Sequence, residues 1–149
     1  MLRTQQVANT ILMLAFDEHI SVTPMKLQKL MYFVYKKYLQ DTGEKLFSEP
    51  FEAWKYGPVL PSVYYEFSSY QASSIRKFAR TANGDVEVID LEYDSPVTDA
   101  IIQTWAKFKN YTGIELSKLT HKENTAWRKA IDSECQTLED EDIKNEQEF

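Results

Sequence analysis

The chain has 149 residues, 43% of them hydrophobic and 27% charged, with a net charge of −6. That length supports one domain with its own core, and a single cysteine, Cys135, excludes an intrachain disulfide and a cysteine-rich zinc site. No apolar run approaches the ~20 residues that span a bilayer, so the composition predicts a cytoplasmic protein with no membrane association.

The charge is unevenly placed. From Asp132 onward, eight acidic side chains accompany only Lys144, so this segment carries −7 and the remainder +1. A like-charged segment with few apolar residues is expected not to bury enough surface to offset its ordering entropy. The expectation is therefore a folded domain over residues 1–132 and an acidic, flexible tail over 133–149. A sharper alternative is an acidic arm that contacts or shields a basic partner.

In chain order, Val7, Ala8, Ile11, Leu12, Leu14 and Ala15 predict a first helix over residues 4–18. The opening MLRTQQVANTILMLAF has an interrupted apolar part and no small-residue cleavage site, which makes it a mature helix rather than a secretory signal. Thr23-Pro24 is a helix start: a capping residue followed by a proline whose missing N–H costs nothing there. Leu27, Leu30, Met31, Val34, Tyr35 and Tyr38 then give the fullest helical stripe in the chain. Tyr32 and Phe33 widen it, which predicts a central helix with neighbours on two sides. Lys26, Lys29, Lys36 and Lys37 fall largely off the stripe and read as its solvated face. Gly43 is placed to end the helix in the left-handed conformation.

Phe51–Tyr56 alternates enough for a short strand or an extended buried segment, which Gly57-Pro58 is expected to stop. Pro61 can open a third helix reaching about Ser69. Asn83-Gly84, followed by the β-prone run Asp85–Leu91, predicts a small hairpin or an irregular arm over residues 70–93. Ser95-Pro96 repeats the start signal for a helix ending at Asn110. Thr112 and Glu115 have capping-box spacing for a short helix to about His121, and Asn124 is expected to cap a last helix carrying Trp127. The fold class is mainly α: a compact bundle of about five to six helices with a small β-hairpin or short β element.

No catalytic arrangement stands out. The four glycines never cluster, which excludes a phosphate-binding loop. His19, His121 and Cys135 lack the spacing of a nucleophile pair or a metal site, and Cys135 sits at the edge of the acidic segment rather than beside a basic group that would activate it. His121 fits a helix end better than a general base. The expectation is a non-enzyme without catalytic, cofactor or metal residues. An aromatic share of 13% suits both a core and a protein-binding surface. Nucleic-acid binding through Lys26, Lys29, Lys36, Lys37, Arg76, Lys77 and Arg80 is disfavoured by a pI near 5.0, a near-neutral body and the lack of a recognition helix.

Three stretches in order, KLQKLMYF, GEKLFSEPFEAWKYGPVLPSVY and LSKLTHKENTAW, resemble the Panacea domain, the antitoxin domain whose founding members are the SocA-type antitoxins. The same domain occurs in phage- and prophage-associated proteins. The resemblance spans about residues 3–132 and leaves out the acidic tail. It implies a non-enzymatic antitoxin that neutralises a toxin encoded beside it by direct protein–protein binding. The alternatives are an adaptor delivering that toxin to a ClpXP-type protease and, less favoured, a DNA-binding regulator. Association of the domain with many unrelated toxins implies a fixed scaffold with a variable binding face. The matching positions here suggest Lys26, Lys29, Trp54, Lys55, Tyr56, Tyr64 and His121 for that face. They suggest Leu27, Leu30, Phe33, Gly57, Pro58 and Trp127 for the scaffold.

Overall fold

The stretch with the fullest helical period is also the structural centre. In the computed structural model, which describes residues 1–149, helix α2 (Pro24–Thr42) is enclosed by α1 (Thr4–Glu18), α3 (Pro61–Phe67), α4 (Pro96–Phe108), α5 (Gly113–Thr120) and α7 (Asp140–Lys144). Strands β1 (Glu52–Trp54) and β2 (Gly57–Val59) and helix α6 (Ala126–Asp132) complete the fold, with a single 3-10 turn at Ser68–Tyr70. Thr23 accepts the Lys26 N–H, Ser95 accepts that of Thr98, and Thr112 and Glu115 form the reciprocal box. Gly43, at φ 76°, closes α2 on the Leu39 carbonyl. Each of these helices thus starts or stops where a local side chain or a left-handed residue satisfies orphan backbone groups. One cap differs from expectation. Thr125, not Asn124, accepts the Arg128 N–H, while Asn124 makes the preceding turn at φ 66°.

The core is strongly aromatic around α2. Tyr32 and Tyr35 meet Phe51 edge-on at 5.2 and 5.4 Å, and Phe33 stacks on Phe108 at 4.7 Å. Because aromatic residues leave α2 in several directions, the helix is buried on most sides. The three lysines Lys26, Lys29 and Lys36 are buried with it, at 5%, 1% and 5% exposure, which corrects the reading of these positions as a solvated face.

The only regular sheet is the antiparallel β1–β2 hairpin, with Glu52 opposite Val59 and Trp54 opposite Gly57. Its two-residue tip is Lys55-Tyr56. The Gly57-Pro58 pair begins the second strand rather than stopping the first, because Gly57 sits at φ 120°. Residues 71–95 form an irregular arm instead of a second hairpin. The Asn83-Gly84 turn does form, with the Thr81 N–H donating to the Asp85 carbonyl at 2.8 Å. The segments flanking it, however, are held by helix α1. Buried Asn9 donates to the carbonyls of Ala79 (2.9 Å) and Glu87 (3.1 Å) and accepts from the Ala79 N–H (2.9 Å). Thr10 accepts the Ile89 N–H at 2.9 Å. Side chains of one helix thus replace a strand ladder. Asn9→Ala is expected to cost about 2–3 kcal/mol, because it leaves buried backbone groups unpaired. It should also speed hydrogen exchange at Ala79 and Ile89 while leaving α2 and α4 protected. Unchanged exchange at those two amides would contradict this account of the arm.

The acidic segment is folded, which corrects the expectation of a flexible tail. Residues 136–138 run antiparallel beside β1: the Ala53 N–H donates to the Gln136 carbonyl (2.8 Å) and the Leu138 N–H to that of Phe51 (2.9 Å). Leu138 and Ile143 are buried. The Glu146 side chain accepts from the Tyr32 hydroxyl, from the Ala126 N–H at 2.8 Å and from Lys36 at 3.3 Å. Asp140 pairs with Lys45 and accepts from the Tyr35 hydroxyl at 2.9 Å. The basic groups that this acidic segment contacts are the body's own.

Candidate functional site

The β1–β2 hairpin is pinned from behind by three helices. From α2, Gln28 clamps Leu60 through its carbonyl (3.0 Å) and N–H (2.9 Å), and Lys29 Nζ donates to the Pro58 carbonyl at 3.0 Å. From α5, the Ser117 hydroxyl donates to the Tyr56 carbonyl at 2.6 Å. From α6, Trp127 Nε1 donates to the Trp54 carbonyl at 2.7 Å. With its main chain fixed in this way, the hairpin presents its tip side chains outward.

An aromatic ridge continues from that tip. Trp54 meets Tyr64 edge-on at 4.9 Å, and Tyr64 meets Tyr65 at 5.4 Å. Tyr56, Tyr64 and Tyr65 are 58%, 42% and 71% exposed. Tyr65 is the residue that sequence reasoning missed: it follows Tyr64 on α3 and would have been found only by placing that helix's outer face beside the hairpin. Between the ridge and the first turns of α2 lies a cleft of about 400 Å³, lined by Met25, Gln28, Lys29, Trp54, Lys55, Tyr56, Val59 and Tyr64 among others.

Five of the face candidates, Lys29, Trp54, Lys55, Tyr56 and Tyr64, therefore border one cleft. Two do not. Lys26 points the other way, donating to the carbonyls of Ser21 and Lys109, and so caps the end of α4. His121 lies behind the hairpin, stacked on Trp127 at 3.9 Å with 15° between the rings. Burial, with the nearby Lys29 and Arg128 charges, pushes its pKa below the usual value, so the ring is neutral near pH 7 and acts as a packing surface. Leu27, Leu30, Phe33, Gly57, Pro58 and Trp127 are all buried. The basic patch considered for nucleic acid is dismantled, because Lys26, Lys29 and Lys36 face inward. No group of three His, Cys, Asp or Glu side chains is arranged to hold a metal ion, and no helix is long and apolar enough to cross a membrane.

Lys29 is the most unusual charge in the molecule. It is 1% exposed, with one hydrogen bond and no carboxylate partner, and burial pushes its pKa down to about 7. In the unfolded chain the same amine titrates near ~10.4. Between these two values the unfolded state holds a proton that the folded state lacks, so the contribution of Lys29 to stability falls as pH drops from about 10 to about 7 and then levels off. Lys29→Met is accordingly expected to be more stable than the parent by about 1–3 kcal/mol at pH 6.5, the difference narrowing towards pH 10. Urea midpoints at the two pH values check this; a pH-independent difference would contradict it.

The comparisons with known proteins agree on one family. The profile described as "Antitoxin SocA-like, Panacea domain" matches residues 27–128, more than half of the chain. Among curated proteins, "Antitoxin SocA" of Caulobacter vibrioides (strain NA1000 / CB15N) is 46% identical over 63 residues, which are 42% of this chain and 34% of that relative. The aligned region thus spans about a third of the relative's length. No solved structure matches the chain significantly. The matched region contains α2 from Leu27 onward, the hairpin, the aromatic ridge and the His121–Trp127 stack, and the chain belongs to the SocA-like antitoxin family with a Panacea domain.

Proposed function

We propose that this protein is a non-enzymatic antitoxin that neutralises a cognate toxin by direct protein–protein binding, through the face formed by the hairpin tip and the ridge on α3. The observation that carries this reading is the row of exposed aromatics, Tyr56 at the hairpin tip and Tyr64 and Tyr65 on α3, beside a hairpin whose main chain is tied to α2, α5 and α6. Large aromatic side chains on a rigid support dominate many interfaces, since they bury much area at low entropic cost. Fixing the backbone from behind while leaving the tip free lets the outer side chains vary without disturbing the core. This arrangement suits a scaffold with a variable binding surface.

The test is co-expression with the product of the neighbouring gene. That product should be toxic alone and harmless beside this chain, and the two should co-purify. Tyr56→Ala and Tyr64→Ala should each weaken the complex by at least about tenfold with melting temperatures close to that of the parent. A partner that is innocuous alone, or still toxic in the presence of this chain, would refute the assignment. Wild-type affinity in both variants would move the interface elsewhere.

A further inference from the structure

The cleft beneath the aromatic ridge has a lining that selects its occupant. Met25, Val59 and the Trp54 ring supply apolar surface, while Lys29 and Lys55 supply the charge, and no acidic side chain lines the cavity. Neither lysine takes part in any of the chain's ion pairs. Lys29 Nζ donates only to the Pro58 carbonyl, leaving two of its three N–H groups without a protein acceptor. Lys55 lies over the Tyr56 ring at 5.5 Å, on the rim. The first turn of α2, at Pro24 and Met25, also borders the cleft, so the positive end of a 19-residue helix adds to the same sign. Gln28, by contrast, is uncharged and spends one N–H and its side-chain oxygen on Leu60.

We infer that this cleft receives an acidic–apolar segment of the partner protein: an aliphatic or aromatic side chain seated against Met25, Val59 and Trp54, with a neighbouring carboxylate held by Lys29 and Lys55. The charge complementarity is one-sided, two lysines and a helix start with no internal counter-ion. A carboxylate entering here would complete the hydrogen bonding of Lys29 and offset the cost of burying its charge. Binding would therefore take up protons when it occurs above about pH 7, where Lys29 is largely neutral in the free protein. The inference rests on the reading that the hairpin face is where the partner docks, but it can be tested without the partner.

The probes are phenylacetate and its neutral counterpart phenylacetamide, titrated into the full ¹⁵N-labelled chain at pH 6.5. The Trp54 indole N–H and the Gly57 amide report on the site. Phenylacetate is expected to shift both saturably, and phenylacetamide to bind at least about tenfold more weakly, the loss of one charge-assisted contact. Lys29→Met and Lys55→Met should each weaken phenylacetate by a similar factor. Lys55 is exposed, so the second variant remains informative if the first perturbs the hairpin. Equal binding of acid and amide, no saturable shift at Trp54, or wild-type affinity in both variants would overturn the inference. If phenylacetate fails while the toxin complex forms, the antitoxin reading survives and the acidic–apolar occupant does not. If phenylacetate binds as expected while no toxin complex forms, the cleft keeps its ligand class and the antitoxin reading falls.

Discussion

Glu146→Ala is expected to lower the unfolding free energy by about 3–5 kcal/mol, the usual cost of removing one member of a buried ion pair. This carboxylate is 8% exposed and serves three groups at once: the Tyr32 hydroxyl, the Ala126 N–H and Lys36. Tyr32 is 1% exposed, and burial together with Glu146 holds its hydroxyl pKa well above the usual value, so it acts as a neutral donor. Removing the acceptor strands a buried hydroxyl, a backbone N–H in the first turn of α6 and the Lys36 ammonium, 6% exposed. Each loses a charge-assisted hydrogen bond, and the Tyr32 hydroxyl, buried in the core, has no other partner. The denaturant midpoint should fall sharply with little change in slope. Glu148→Ala, at an exposed position of the same segment, should stay within about 0.5 kcal/mol of the parent. Equal stability of the two variants would mean that residues 136–149 do not dock on α2 in solution.

The second large effect is expected at Gly57. Its φ of 120° is one that L side chains rarely adopt, and a Cβ there would lie 2.8 Å from Thr120 Oγ1 and 2.9 Å from Lys29 Cε. Neither neighbour can easily withdraw. Thr120 is 2% exposed and its hydroxyl is bonded to the Ser117 carbonyl at 2.7 Å, while Lys29 is anchored on Pro58. Backbone strain and steric overlap together should make Gly57→Ala cost about 3 kcal/mol or more. Because relief would require moving the hairpin off α5, the variant should also lose partner binding. Gly43 is the control: it too has positive φ, 76°, but a Cβ there meets nothing within 4 Å. Gly43→Asn, a residue tolerated at helix ends, should cost about 1 kcal/mol or less. The contrast isolates close packing from positive φ alone. Thermal melts of both variants, with Trp54 fluorescence as the local reporter, measure it.

What the sequence made legible was largely local. Thr23-Pro24, Ser95-Pro96 and the Thr112–Glu115 box mark helix starts by chemistry contained in a few residues, and the helices begin there. What it concealed was tertiary. Lys26, Lys29 and Lys36 fall off the apolar stripe and so read as solvent-facing, but α2 is wrapped on nearly every side and each amine finds an acceptor beneath the surface. The acidic segment reads as a tail because its average composition hides Leu138 and Ile143, and because its charges are compensated by Lys36, Lys45 and Lys129 from elsewhere in the chain. Asn83-Gly84 correctly marks a turn, yet no local signal shows that Asn9, 70 residues before Ala79, takes the hydrogen bonds a partner strand would have used. The aromatic and lysine candidates around the hairpin were visible as residue types. Their separation into a cleft lining, a helix cap at Lys26 and a packing ring at His121 required the fold.

If the hairpin tip and the α3 ridge form the partner-binding face, the partner must cover them in the complex. Hydrogen–deuterium exchange of the chain alone and in complex with the neighbouring gene product tests it most directly. New protection is expected in peptides covering Trp54–Gly57 and Ser62–Phe67, with the exchange of residues 96–112 unchanged. Protection confined to α4 or to the docked acidic segment, with the hairpin as exposed as before, would contradict it.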